Sequence, residues 1–407
     1  MALLGVPGIA LRFSGTHPQE VVAAIIFGVA ILSAAFLLSW AAETAEMDIS
    51  QGLALAIIAI IAVLPEYAVD LVLAWKEGAA GCPDPANTDC GLAIANMTGG
   101  NRLLIGIGWP IVFALFFYRT RLRELIVDRQ RSLELVFLSI ATVYVILIPL
   151  RQSVSLIDTV VLVTLFAVYL YFTSKVESEP VELVGPAQAM GALPSARRRA
   201  LVVLALAYAA AVIFTSAEPF AEALVDIGKR FGVSEFLLIQ WLAPLASESP
   251  EVVVAGLLAW RGRAAVGMGV LISSKVNQWT LLIGTLPVAF LLSAGEFNFT
   301  GGLPLDDRQR EEIFLTAAQS AFAIAVFANL RMGMREATAL FLLFATQLFI
   351  TNQEARIAYA AAYTLLCVSL LFFSRKELPA TISAAWDVFR GRGEAGPPEE
   401  PEPAPGA

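Results

Sequence analysis

Two Pro-Glu pairs, Pro65-Glu66 and Pro250-Glu251, stand inside long apolar runs of the sequence. A proline inside a helix removes one backbone hydrogen bond and frees a carbonyl oxygen. In hydrocarbon that oxygen must find a partner. The carboxylate beside it costs at least ~2.5–3.5 kcal/mol to insert at the centre of a bilayer. Two such costs in matching places imply a use. Hard cations such as Ca²⁺ and Na⁺ take oxygen ligands, and two glutamates with two freed carbonyls supply them.

Other polar residues gather near these pairs. Asn101 and Gln278 lie 177 positions apart in the following apolar runs, and each offers an amide oxygen. Ser247, Glu248, Ser249 and Ser274 accompany the second pair; Asp70 and Thr98 accompany the first. Asp70 lies four residues past Glu66, on the same helix face. Hydroxyls in membrane helices often bond only their own backbone or a neighbouring helix, so that reading stands beside ligation for the serines and Thr98. The candidate cation ligands are Glu66, Glu251, Asn101, Gln278, Asp70, Glu248, Ser247 and Ser274. Arg102 and Lys275 fall inside the same runs and bring fixed cations next to them, as modulators. Glu43 and Glu218 close earlier runs, where they suit helix ends or a gate for the ion.

The elements that must position these residues are membrane helices. Of 407 residues, 58% are hydrophobic and 15% charged, against about 45–50% and about 25% in soluble domains. Single cores stop growing near ~250–300 residues, so the excess excludes an ordinary soluble enzyme and indicates a polytopic membrane protein. Eleven runs are candidates for spans: 20–42, 51–75, 91–118, 132–150, 156–173, 200–227, 236–260, 264–294, 312–330, 335–350 and 356–373. Alternating these spans puts 17 Lys and Arg residues on one side and 8 on the other. Basic loops favour the cytoplasm, which places the N-terminus outside and the C-terminus inside, in a bacterial-type cell membrane. The remaining two of the 27 basic residues are Arg102 and Lys275.

Cys82 and Cys90 flank a short polar segment that this topology places outside. They suit a disulfide there, and as a zinc site they lack two further ligands. Cys367 sits in an apolar run as packing, and His17 is a surface residue. The first 18 residues show no basic start followed by an apolar run, hence no cleaved signal. No basic patch suits nucleic acid, and no phosphate-binding Gly-Lys-Ser/Thr loop supports ATP-driven pumping. The Pro- and Glu-rich end of the chain has the composition of a disordered tail.

The chain repeats itself. Pro65-Glu66 and Trp75-Lys76 match Pro250-Glu251 and Trp260-Arg261 at an offset of 185, and Pro110 matches Pro287 at 177. The eight-residue difference is the loop holding Cys82 and Cys90. A unit of five spans inserts its two copies with opposite orientation. Inverted repeats of this kind build many secondary transporters, with the ion site at the repeat interface near the midplane. The expected fold is all-α: a first repeat over 1–173, a cytoplasmic linker over 174–199, a second, inverted repeat over 200–350, one extra span over 351–374 and a disordered cytoplasmic tail over 375–407.

With these motifs in hand, the chain resembles the calcium/cation antiporter superfamily, which includes the sodium/calcium exchangers. That family carries a Gly-Thr-Ser-x-Pro-Glu motif in each half and a Gly-Ser-Asn motif on the next helix. The corresponding segments are Ala62-Val63-Leu64-Pro65-Glu66 with Asn96-Met97-Thr98-Gly99-Gly100-Asn101, and Ala246-Ser247-Glu248-Ser249-Pro250-Glu251 with Ser273-Ser274-Lys275-Val276-Asn277-Gln278. The resemblance implies that Glu66 and Glu251 are the central cation-binding glutamates, that Ser247 and Ser274 are hydroxyl ligands, and that ten of the eleven spans belong to the family fold. The first half departs by losing its hydroxyls at Ala62 and Val63. Glu248, Arg102 and Lys275 are further departures.

The expected function is secondary cation antiport, Ca²⁺ against Na⁺ or H⁺, with the bilayer and inorganic cations as partners and no bound cofactor. The oligomeric state is left open, and a monomer is compatible with the sequence. A sodium/proton antiporter on the same fold, which Lys275 favours, and a non-transporting member of the family are the alternatives. An intramembrane protease lacks any Gly-x-Ser-x-Gly, His-Glu-x-x-His or Gly-x-Gly-Asp motif, so no enzyme is expected. Replacing Glu66 or Glu251 with Gln should abolish gradient-driven Ca²⁺ uptake into vesicles; normal uptake by both variants would remove the glutamates from the site.

Overall fold

The computed structural model describes residues 1–16, 18–45, 47–48, 64–83, 90–175, 183, 185–232, 234–295, 298–348, 350 and 352–390. The chain is helical: α1 Ala2–Ser14, α2 Glu20–Ala45, α3 Leu64–Ala79, α4 Leu92–Thr120, α5 Arg131–Arg151, α6 Leu156–Thr173, α7 Pro186–Gly191, α8 Ser195–Phe231, α9 Glu235–Trp260, α10 Ala264–Ala294, α11 Asp307–Val326, α12 Met334–Gln347, α13 Gln353–Phe373 and α14 Leu378–Phe389. Among the described residues, seven helices are long and apolar enough to cross a membrane, or eight with α9, which bends by 50° between Ser249 and Glu251. The expected spans all have helices within them, but α12 is 14 residues long, short of the ~20 a bilayer needs. Residues 51–63 and His17 lie outside the described residues.

Three expectations change. The N-terminal stretch, where no element was expected, forms α1, whose Gly5 and Gly8 let it settle against Tyr208, Val212 and Ala30. The linker expected over 174–199 contains α7 and the first turn of α8. The tail expected to be disordered from 375 carries α14, with Ala385 and Val388 buried. In each case a short apolar stripe packs on neighbouring helices, which composition alone does not register.

Helices α2 and α8 run side by side, and ion pairs tie both ends. Arg230 Nη1 lies 2.5 Å from Glu20 at one end, and Arg198 Nε lies 2.7 Å from Asp48 at the other. Arg12 of α1 adds a contact to Glu218 at 2.6 Å. A separate tie crosses from α8 to α3, Lys76 to Glu222 at 2.6 Å. The Arg198 guanidinium, helped by Arg199, pulls the Asp48 carboxyl down from 3.8 to about 2. An acid with a lowered pKa contributes stability that is complete above its unfolded value and is lost as pH falls through its folded value.

Two short antiparallel strand pairs join the halves crosswise. β1 Glu124–Ile126 pairs with β4 Arg331–Gly333, and β2 Ser153–Ser155 pairs with β3 Gly302–Pro304. Positions 124 and 302 start β1 and β3, 178 residues apart; 153 and 331 start β2 and β4 at the same spacing. The helices that follow β2 and β4 begin alike: the Asp158 carboxylate accepts from Ser155 N at 2.7 Å, and that of Glu336 from Gly333 N at 3.1 Å. Helices α4 and α10 each carry a π-helical turn, Leu104–Gly108 and Gln278–Leu282.

Cys82 and Cys90 form a disulfide, with Cα atoms 5.8 Å apart. Beside it, Glu77 Oε1 accepts from Ala93 N at 2.7 Å and so caps α4. Gly99 on α4 meets α9 at its closest approach: a Cβ there would stand 1.7 Å from Gln240 O.

Gly99→Ala should therefore cost about 1–3 kcal/mol or more, read as a lower melting temperature in detergent. Gly256→Ala, which meets Leu115 Cδ1 at 3.2 Å, should change it little. Equal melting temperatures for the two variants would contradict the close crossing. The melting-temperature gap between the wild type and Asp48→Asn should stay constant from pH 8 to 5; a gap that closes by pH 5 would contradict the Arg198 tie.

Candidate functional site

Helices α3, α4, α9 and α10 meet around a small cavity of about 10 Å³, room for about one water-sized particle. Its lining contains Glu66 and Asp70 from α3, Asn96 and Asn101 from α4, Ser247 and Glu248 from α9, and Gln278 from α10. Six of the eight candidate ligands thus converge. Glu251 and Ser274 are buried but stand outside the lining, close to each other. The 50° bend of α9 falls between Glu248 and Glu251. Ser249 Oγ donates to Leu245 O at the bend. The residues before Leu64, where a carbonyl freed by Pro65 would lie, are outside the described residues.

The side chains in the cavity hold one another incompletely. Asn96 Nδ2 donates to Asp70 Oδ1 at 2.9 Å, and Gln278 Nε2 donates to Glu248 Oε1 at 2.5 Å. Both oxygens of Glu66, the second oxygens of Asp70 and Glu248, and the amide oxygens of Asn96 and Gln278 have no hydrogen-bond partner. Buried polar atoms are normally paired. Six unpaired oxygens around one small space form the donor set that a hard cation requires, although among the described residues no three acid, histidine or cysteine side chains meet at a point.

The hydroxyls follow the simpler reading in part. Thr98 Oγ1 donates to Ile94 O at 2.7 Å, and Ser247 Oγ points back to Ala243 O and Pro244 O, each at 3.4 Å. Ser274 Oγ has no hydrogen-bond partner.

The two intramembrane cations part company. Lys275 Nζ donates to Asn101 Oδ1 at 2.5 Å and stands 4.2 Å from the Trp279 ring centroid. It therefore occupies the oxygen that Asn101 was expected to offer a metal. Arg102 turns away from the cavity, toward Glu312 of α11 at 2.5 Å and over the Trp241 ring at 4.9 Å. Glu43 and Glu218 lie on α2 and α8, away from the lining; Glu43 takes a hydrogen bond from Ser39 at 3.3 Å, and Glu218 takes the Arg12 contact.

Sequence reasoning passed over Asn96 as a ligand and Glu134 and Glu312 altogether. Asn96 stands in the motif segment Asn96–Asn101, but its acid partner, Asp70, lies on another helix. Glu134 and Glu312 stand near the starts of apolar runs. Their spacing of 178 is the repeat offset of the strands, and it was the signal that could have found them.

A sequence model described as sodium/calcium exchanger protein matches residues 20–175 and 201–353. No curated protein matches the sequence. The structure titled H⁺/Ca²⁺ exchanger CAX is 43% identical over 96% of this chain and 96% of its own, with a TM-score of 0.89. Native YfkE is 16% identical over 89% of this chain and 99% of its own, with a TM-score of 0.61. The sodium-calcium exchanger NCX_Mj is 17% identical over 87% of this chain and 100% of its own, with a TM-score of 0.52. The last two likenesses concern the fold alone. Matched in both halves around the shared cavity, the chain belongs to the sodium/calcium exchanger protein family.

Proposed function

We propose that this integral membrane protein exchanges Ca²⁺ for H⁺ by alternating access, with Ca²⁺ bound in the cavity lined by Glu66, Asp70, Glu248, Asn96 and Gln278, whose oxygens draw together onto the ion. The observation that carries the reading is Lys275 on Asn101. A fixed ammonium stands where an exchanger coupled to several Na⁺ ions would need oxygens for a second cation, and buried like charges repel strongly in a low-dielectric site. Protons need no such site: they bind the carboxylates themselves. The 43% identity to a structure titled H⁺/Ca²⁺ exchanger supports the same choice. Glu251, three residues past Glu248 on the same helix, would meet the ion as α9 shifts.

The crosswise strand pairs at a spacing of 178 support two inverted five-helix halves, with α13 as the extra eleventh span. The basic-residue imbalance supports an external N-terminus. Helices α2 and α8, tied at both ends, are suited to move as one body across α3 and α9 and open the cavity to alternate sides. Lys76–Glu222 is a tie that such movement must break.

In proteoliposomes a proton gradient should drive ⁴⁵Ca²⁺ uptake and a Na⁺ gradient should not. Uptake driven only by Na⁺ would overturn the coupling, and Na⁺-dependent pH change without Ca²⁺ flux would favour the sodium/proton alternative. Lys275→Met should give Ca²⁺ uptake a Na⁺ dependence that the wild type lacks, at least about tenfold between Na⁺-free and Na⁺-driven conditions (about 1.4 kcal/mol); Na⁺-independent uptake by this variant would show that the ammonium does not choose the driving ion.

A further inference from the structure

Arg102 follows a cavity residue, Asn101, yet its guanidinium is held elsewhere. It is 2% exposed, and Nη2 lies 2.5 Å from Glu312 Oε2. The other oxygen of Glu312 takes Arg356 Nη1 of α13 at 2.8 Å. Gln319 of α11 donates to the Arg102 backbone oxygen at 3.3 Å, and the Trp241 ring lies beneath the guanidinium. The carboxylate is thus shared by two arginines, one from the site helix and one from the extra span.

The same stretch of α4 also touches a cavity carboxylate. A Cβ on Gly100, two residues before Arg102, would stand 2.9 Å from Glu248 Oε1, so the Glu248 carboxylate packs against the backbone of α4 at this turn. The arginine charge is permanent, and an unpaired buried guanidinium takes whichever anion it can reach. Without Glu312 that anion belongs to the cavity.

The repeat gives an independent comparison. Glu134, 178 positions before Glu312, likewise stands behind a site helix, where it takes Ser273 Oγ of α10 at 3.0 Å and Arg131 of its own helix at 2.7 Å. Both halves place an acid at this point. Only the second-half acid faces an arginine on the site helix, and only there does α13 supply a second arginine.

We propose that Glu312 is a positioning residue for cation binding: it holds the Arg102 guanidinium away from the cavity carboxylates, and Arg356 anchors Glu312 in that task, so the extra span α13 contributes to the ion site. This rests on the reading that Ca²⁺ occupies the cavity between α3, α4, α9 and α10.

The test is ⁴⁵Ca²⁺ equilibrium binding to the purified full-length protein at one pH, for the wild type, Glu312→Gln, Arg102→Met and the double variant. Glu312→Gln should raise the half-saturating Ca²⁺ concentration at least about tenfold, as expected for a fixed charge brought near a divalent ion. Arg102→Met should stay within about threefold of the wild type, because the charge it removes is already held off. The double variant should return to within about threefold of the wild type, a rescue that a merely structural role for Glu312 does not produce. Unchanged binding in Glu312→Gln, or a double variant as weak as Glu312→Gln, would overturn the proposal while leaving the cavity assignment intact. Absence of Ca²⁺ binding in the wild type would overturn both. If Glu312→Gln does not fold, Glu312→Asp takes its place: it should weaken binding a few-fold and recover with Arg102→Met, and unchanged binding would again count against the role.

Discussion

Buried charge is the constraint from which the rest of this structure follows. Glu66, Asp70, Glu248, Glu251, Arg102, Lys275 and Glu312 all lie buried inside a membrane protein, where each would be costly alone. The fold answers each in a different way. Arg102 is given Glu312 and an aromatic face. Lys275 is given an amide oxygen and an indole ring. Asp70 and Glu248 are each given one carboxamide donor, and Glu66 is given none. The uneven treatment separates the charges: Arg102 and Glu312 lie in an ion pair, whereas the unpartnered oxygens of Glu66, Asp70 and Glu248 face a shared cavity.

The scaffold keeps that distinction. The strand pairs and capped helix starts join the two halves outside the site, and the close crossing at Gly99 fixes α4 against α9. Helices α2 and α8 are bound to each other through Glu20–Arg230 and Asp48–Arg198 more than to the site helices, to which α8 is linked by the Lys76–Glu222 pair. A four-helix site and a tied helix pair beside it suit the two bodies of the proposed alternating access. Glycine at Gly99, and at Gly78 where a Cβ would meet Phe290 O at 2.2 Å, is what brings the site helices near enough for their side chains to share one small cavity.

Much of this was legible in the sequence, because the features in question are local or repeated. The Pro-Glu pairs, the amide positions on the following helices and the helical runs all follow from residue type and spacing. What escaped depends on direction and distance in space. Glu248 and not Glu251 lines the small cavity, and a three-residue spacing on one helix face cannot distinguish them. Arg102 and Lys275 look equivalent in sequence; they differ because α11 and α13, far along the chain, present Glu312 and Arg356 to one and not to the other. Helices α1 and α14 were missed because they are short and their apolar faces matter only against neighbours already in place.

The central claim is that protons and Ca²⁺ compete for the same cavity carboxylates. On the proposed reading, protons balance the cavity acids when no ion is bound, and Ca²⁺ displaces them. Addition of Ca²⁺ to the purified protein in weakly buffered, Na⁺-free detergent solution, followed with a pH-sensitive dye, tests this most directly. The account predicts proton release that saturates with Ca²⁺ binding and is reduced in Glu66→Gln. Saturable Ca²⁺ binding with no release of protons would contradict it.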